Sequence, residues 1–201
     1  MEFRSALASE LLSCSGTLAD TDMTDLIIRA SHDSDIPAIT RIYAHAVIHG
    51  TASWELEPPG EEEMTRRRHA IIAAGFPYLV AERGGKVIGY CYAAAYRPRA
   101  AYKATVEDSI YIHPDAHGQG VGKALLGALL QRCDELGFRQ MVTVVGDGYG
   151  GSAASLKLHQ HFGFTVIGIA KSVGFKHGRW LDQVLMQKTL GAGDSTPSPF
   201  A

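Results

Sequence analysis

The sequence predicts a mixed α/β fold (α+β) in which a mostly antiparallel sheet is flanked by helices. Two strands, Tyr78 to Glu82 and Val87 to Ala95, are joined by the glycine-containing hairpin Arg83-Gly84-Gly85-Lys86 and should pair antiparallel. A strand from Thr105 to Ile112 then feeds a loop with glycines at Gly118, Gly120 and Gly122, followed by a helix from Val121 to Leu136. That helix crosses to a strand at Met141 to Val145, which is therefore expected to run parallel to the one before it. The last strands, Phe164 to Ile169 and Leu181 to Lys188, flank Lys171 to Trp180.

Taken in order, residues 1–25 read as a mobile extension, because the first clear strand, Leu26-Ile27-Ile28-Arg29, follows them. Asp33 or Ser34 can cap a helix in which Ile36, Ile39, Ile42, Tyr43, Ala46 and Val47 recur at helical spacing up to Gly50. After the turn at Pro58-Pro59-Gly60, a second helix opens at Glu61 with an acidic first turn and carries Arg66, Arg67 and Arg68, expected to be a solvated face. In the Thr105 strand, Val106, Ile110 and Ile112 alternate with Glu107, Ser109 and Tyr111, so Glu107 and Tyr111 share a face. The helix after the glycines is apolar at Leu125, Leu126, Leu129, Leu130 and Cys133 and stops at Gly137. Ser152 or Ser155 opens a short helix ending at Phe162 and Gly163. Gly191 to Ala201 reads as a disordered tail, which leaves residues 26–190 as one working domain.

With 201 residues and 46% hydrophobic letters the chain can bury the core of one ordinary domain. A formal net charge of -2 gives no general attraction to nucleic acid or membrane, so a small-molecule partner is expected. No apolar run approaches the roughly 18 residues of a spanning helix. Leu11-Leu12-Ser13-Cys14 imitates a lipoprotein cleavage site, but Glu10 interrupts a short apolar segment preceded only by Arg4. Cys14, Cys91 and Cys133 have no C-x-x-C spacing, and an odd count favours a reducing, cytoplasmic setting.

The glycine loop is the chemical signal. Alternate glycines between a strand end and a helix start let backbone N–H groups crowd one point, where the helix adds its positive dipole end. Such a loop holds phosphate or pyrophosphate. The P-loop pattern G-x-x-x-x-G-K-S/T fails, because His117 stands five residues before Gly122 and Ala124 follows Lys123. The dinucleotide pattern G-x-G-x-x-G is missed as well, although Asp147 imitates its ribose-binding acid. Glu107, Asp108 and Ser109 also make the feeding strand too polar for the buried first strand of such a sheet.

Gly120-Val121-Gly122 instead fits the second half of Q/R-x-x-G-x-G/A, the pyrophosphate loop of the GNAT N-acetyltransferases, with His117 in place of the usual Gln or Arg. Further motifs resemble one branch of that superfamily, the phosphinothricin and methionine sulfoximine N-acetyltransferases. They are Trp54 with Glu55, Glu57 and Pro58; Tyr102 with Thr105-Val106-Glu107; Leu158-His159 with Gly163-Phe164; and Lys176 to Asp182.

The resemblance implies the GNAT fold over residues 26–190 and transfer of acetyl from acetyl-CoA to the α-amine of a small amino-acid analogue, such as L-phosphinothricin, L-methionine sulfoximine or L-methionine sulfone. It also implies a homodimer. An amine mostly protonated at neutral pH needs a base before it can attack a thioester, and Glu107 matches the family's proposed base; the other reading of Glu107 is a structural ion pair. The backbone at Ile110, Tyr111 and Ile112 matches the part that receives the oxyanion and the pantetheine arm, and His117, Gly118, Gln119, Gly120, Val121, Gly122 and Lys123 the part that holds the pyrophosphate. His159 stands where many relatives place an acid for the departing thiolate, or else is a structural histidine; His161 is a further candidate for cofactor contact. Arg97 and Arg99 are candidates for the substrate carboxylate, with Ala100, Ala101 and Tyr102 in the matching substrate loop. Trp54 is either an aromatic wall or a core residue, and His177, Trp180 and Asp182 either shape the site or a dimer contact.

A second departure is Ser152-Ala153-Ala154-Ser155, where relatives usually carry Asn-x-Ala-Ser and the Asn holds a pantetheine amide; Ser152 has the shorter reach. Among nine histidines, His113 and His117 straddle a turn, and His159 and His161 face different sides of a helix, so no metal is expected. Two other functions remain open: acetylation of another amine, a polyamine or protein N-terminus, and a non-catalytic acetyl-CoA sensor.

Overall fold

The computed structural model describes residues 25–200, so the expected N-terminal extension, Asp25 apart, lies outside the described residues. The chain forms β1 (Ile27–Ala30), α1 (Ile36–His49), α2 (Glu61–Ala73), β2 (Tyr78–Arg83), β3 (Lys86–Ala95), β4 (Thr105–Ile112), α3 (Val121–Glu135), β5 (Gln140–Gly146), α4 (Ala153–His161), β6 (Thr165–Lys176) and β7 (Arg179–Thr189). The strands make a seven-stranded sheet in the order β1-β2-β3-β4-β5-β7-β6. Every neighbouring pair is antiparallel except β4 and β5, joined by the α3 crossover.

The two faces of the sheet bury two separate cores. On one, α3 contributes Leu125, Leu126, Leu129 and Cys133, packed against Val106 of β4, Met141 of β5 and Met186 of β7. On the other, Ile36, Ile39, Ile42, Tyr43 and Val47 of α1 meet Tyr78, Val80 and Tyr90. β4 lies between them, so its side chains alternate from one core to the other. Val106, Ile110 and Ile112 join the α3 core, and Tyr111 packs beside the α1 core.

Three local expectations change. Asp33 and Ser34 do not cap α1; they form a short 3-10 turn, and the buried Asp35 accepts from the His32 amide and from Arg29. The arginine run is not one solvated face. Arg66 is exposed, Arg67 pairs with Glu55 and Glu63, and Arg68 is buried against Ser31 and Asp33, so α2 docks through these polar contacts as well as through Met64 and Ile71. Lys171 to Trp180 is no separate connection, since β6 and β7 continue as a long hairpin that turns at His177-Gly178. A bulge between Ala170 and Gly174 hides the strand period there. In the segment read as a disordered tail, Phe200 stacks on Phe138 with ring centres 5.4 Å apart.

Candidate active site

The central feature is a parting of strands. β4 and β5 pair from Thr105↔Gln140 to Glu107↔Val142 and no further. Beyond that point β5 continues beside β7 to Gly146, while β4 stays with β3 up to Ile112. The gap opens a cleft between Asp108–Tyr111 of β4 and Thr143–Gly146 of β5, closed by Ala52, Ser152, Ser155 and His159. The β4 backbone groups that lose their β5 partners there are free to bind an extended ligand.

The mouth of the cleft is the glycine loop. Gly118 (φ 74°) and Gly120 (φ 79°) adopt left-handed backbone, with Gly120 as the N-cap of α3. The first turn of α3 closes with Ala124 N donating to Gly120 O at 3.1 Å, so the amides of Val121, Gly122 and Lys123 have no earlier helical carbonyl. Gly122 serves packing: a Cβ there would stand 2.9 Å from Ile112 Cδ1 and 3.2 Å from Leu158 Cδ2. Two side chains of the loop are used internally. His117 Nε2 lies 3.1 Å from the Ile112 carbonyl, to which it donates, and Gln119 accepts from Arg83 and donates to the Asp115 carbonyl. Lys123 is exposed. The cradle consists of backbone amides at a helix N-terminus, chemistry suited to a pyrophosphate.

Glu107 stands where the strands part, half-buried, on the opposite face of β4 from Asp108. Burial, followed by the negative charge of Asp108, pushes its carboxyl above the usual carboxylate range, while Arg97 acts in the opposite direction. Arg97 is exposed and lies over the Tyr96 ring at 5.1 Å and the Tyr102 ring at 6.0 Å. Arg99, Ala100 and Ala101 are exposed in the adjoining short turn.

On the other face, Asp108 and His159 form a pair with side-chain exposures of 0% and 1%. His159 Nε2 is 3.0 Å from Asp108 Oδ2, and its Nδ1 is 2.8 Å from the Ser155 carbonyl. Burial opposes a charge on the ring, but the hydrogen bond and field of Asp108, aided by the Ser155 carbonyl, outweigh it and raise the imidazole. Asp108 is the site residue that sequence reasoning missed. Its signal was a carboxylate on the same face as Val106 and Ile110, a place where a charge needs a buried partner. His161, two residues beyond His159, is exposed beside Phe162 and outside the cleft lining.

Loops complete the walls. Ser152 Oγ is 3.0 Å from Thr51 Oγ1, and Asp147, with left-handed φ of 52°, organises the loop between β5 and α4. Its Oδ2 accepts from Gly151 N at 2.8 Å and Arg179 Nη2 at 2.6 Å, and the Arg179 hydrogen bond holds its carboxyl below the usual range. The residue that imitated a ribose-binding acid is therefore engaged with the protein itself. Trp54 is half-buried, with its ring on Gly174 of β6 and beside Gly146 of β5. Its loop is tied down by Lys176 Nζ donating to Ser53 O at 2.7 Å and by His177 Nε2, 3.1 Å from Gly50 O. Tyr43 donates to Glu55 at 3.0 Å and meets Ser53 Oγ at 2.9 Å. Asp182 accepts from Lys171 and from the Ser172 amide, and Trp180 is exposed against Phe175. Among the described residues no group of three or more His, Cys, Asp or Glu is placed to hold a metal ion.

This geometry has close parallels in known proteins. The family model for the acetyltransferase (GNAT) domain matches residues 28–185. The chain is 56% identical over 169 residues to a phosphinothricin N-acetyltransferase of Alcaligenes faecalis, covering 84% of this chain and 85% of that one. It is 37% identical over 165 residues to an L-methionine sulfoximine/L-methionine sulfone acetyltransferase of Salmonella typhimurium, covering 82% and 95%. Among solved structures, a GNAT superfamily phosphinothricin acetyltransferase from Sinorhizobium meliloti in complex with AcCoA superposes with a TM-score of 0.82 at 47% identity, over 87% of this chain and 93% of that one. With the split sheet, the glycine cradle and these matches across most of its length, the chain belongs to the GNAT family of acetyltransferases, enzymes that take their acetyl group from acetyl-CoA.

Proposed function

We propose that this enzyme acetylates the α-amine of a small amino-acid analogue, of the class represented by L-phosphinothricin, L-methionine sulfoximine and L-methionine sulfone. The observation that carries the reading is Glu107, half-buried where β4 and β5 separate, its affinity for a proton raised, and an arginine, Arg97, within electrostatic reach. The names of the relatives supply the acceptor class.

In this reading the amides at the start of α3, from Gly118 to Lys123, hold the pyrophosphate, and Ile110 to Ile112 of β4 hold the arm and receive the developing oxyanion. Glu107 takes the proton of the acceptor ammonium, directly or through water. The freed amine nitrogen then bonds to the thioester carbon as the carbon–sulfur bond breaks. A carboxyl with a raised pKa suits this task, since it binds the proton better than an ordinary glutamate. Arg97, steadied by two tyrosine rings, takes the acceptor carboxylate; Arg99 and the Ala100–Tyr102 turn border it, and Trp54 forms the side-chain wall. The enzyme works in the cytoplasm as a homodimer, whose second copy covers β6 at the sheet edge, where Ile167, Ile169, Val173 and Phe175 join Trp180 in an exposed apolar face.

The test is release of free CoA thiol from acetyl-CoA with phosphinothricin, methionine sulfoximine, methionine sulfone, ordinary amino acids and polyamines as separate acceptors. Saturable release with the first three supports the reading. Release only with other amines overturns the acceptor assignment, and acetyl-CoA binding without release overturns catalysis.

A further inference from the structure

Each ring nitrogen of His159 makes a hydrogen bond inside the cleft. Nδ1 of His159 faces the Ser155 carbonyl at 2.8 Å, and a carbonyl only accepts, so Nδ1 carries a proton. Nε2 faces Asp108 Oδ2 at 3.0 Å, so a second proton lies between the ring and the carboxylate. With that proton on Nε2, the side favoured by the raised imidazole, both N–H groups of the ring are spent. Its other near neighbour is the Phe164 ring, edge-on at 5.0 Å, and the Ser155 hydroxyl stands 3.5 Å from Nδ1. Burial, with the nearby Asp108 adding to it, raises the thiols of Cys91 of β3 and Cys133 of α3 and keeps both protonated. Asp108 is the carboxylate paired with the ring, and both members of the pair line the cleft.

We propose that Asp108 is a positioning residue for acetyl transfer, holding His159 as a non-titrating imidazolium that gives the cleft a fixed charge but no proton. Its catalytic half rests on the acetyl-transfer reading above; the protonation half does not. Glu107 takes one ammonium proton before the amine attacks, and as the N–C bond forms and the C–S bond breaks the nitrogen sheds a second proton to water, leaving the amide N–H. The sulfur regains a proton from Glu107 or water, never from His159, whose donors are both committed. One pair on one face of β4 thus sets the electrostatics, while Glu107 on the other face handles the proton.

The experiment is ¹⁵N NMR of the histidine-labelled protein from about pH 5.5 to about pH 9, with the His159 signal identified by its loss in His159→Gln. It is combined with kcat and KM over the same range for wild type, Asp108→Asn and His159→Gln. The expected wild-type ring has both nitrogens protonated and does not titrate between about pH 6 and about pH 8. Asp108→Asn should make it an ordinary titrating imidazole and lower kcat by roughly tenfold or more, with KM for acetyl-CoA changed less than about threefold. A neutral single tautomer in the wild type puts the proton on Asp108 and overturns the proposal, as does an Asp108→Asn enzyme within about twofold of wild-type kcat. Should Asp108→Asn fail to fold, His159→Gln decides: the alkaline limb of the kcat profile must persist, and its disappearance would mean that the ring supplies a proton. Lack of acetyl transfer to any acceptor removes the catalytic role, while the NMR titration still decides the ion pair.

Discussion

Gly174→Ala tests how Trp54 is seated. Gly174 has no positive φ, so alanine suits its backbone and removes unfolded-chain freedom worth about 0.5–1 kcal/mol. The added methyl, however, would overlap Cζ3 and Cε3 of the Trp54 ring and come within 3.1 Å of Cη2. The ring cannot retreat far, since its own loop is bound to Lys176 and His177. Overpacking of this kind costs about 1–3 kcal/mol, so a net loss of about 1–2 kcal/mol is expected. In a chain of this size that lowers Tm by roughly 2–8 °C. Urea denaturation measures the loss, and fluorescence in a Trp180→Phe background isolates Trp54, as the chain has two tryptophans. Repeating Gly174→Ala in a Trp54→Leu background should recover most of the stability, which assigns the cost to the pair. Equal stability with an unchanged Trp54 spectrum would refute this account of the loop, and an equal loss in both backgrounds would move the cause elsewhere.

Glu107→Gln should lower kcat by roughly 10² to 10⁴ while acetyl-CoA binding, read by calorimetry, survives. The same variant should be more stable than wild type at neutral pH: a carboxyl whose folded pKa is raised makes stability fall as pH climbs from the ordinary carboxylate pKa through the raised one, and glutamine lacks that ionisation. Denaturation midpoints at acid and neutral pH check the sign. Asp147 behaves oppositely, because its folded pKa is lowered; its contribution is present above the ordinary carboxylate pKa and lost as pH falls through the lowered value. Asp147→Asn should therefore flatten the acid limb of stability and raise KM for acetyl-CoA by loosening the loop that carries Ser152. Gly120→Ala should strain a backbone at φ 79° by about 1–2 kcal/mol and weaken acetyl-CoA binding roughly tenfold or more, with circular dichroism unchanged.

The parts that sequence made legible are those written in local pattern. β4 spans Thr105–Ile112 and α3 starts at Val121, because alternation, glycines and a helical stripe mark those limits within a few residues. What local pattern does not carry is the partner across space. Asp108 resembles any polar strand residue until His159, 51 positions away, is seen to face it. Arg68 looked like its neighbours, yet it alone of the run reaches the carbonyl and hydroxyl of Ser31. The lower half of the last hairpin was obscured by a bulge that interrupts the period of two. Trp54 had two readings because its surroundings, Gly146 and Gly174, come from distant strands.

The ties on the Trp54 loop also fix when the enzyme can be complete. Lys176 holds Ser53 across a sequence separation of 123 residues, and His177 holds Gly50 across 127. Contacts so distant in the chain form late, and those from the last hairpin cannot form until that hairpin exists. A nascent chain still lacking β6 and β7 can pair β1 to β4 and carry Glu107 and the glycine cradle, but the wall at Trp54 has nothing to rest on. Completion of that wall thus waits on synthesis of the β6–β7 hairpin, and a chain cut short before Lys176 would keep β4 and lose the seat of Trp54.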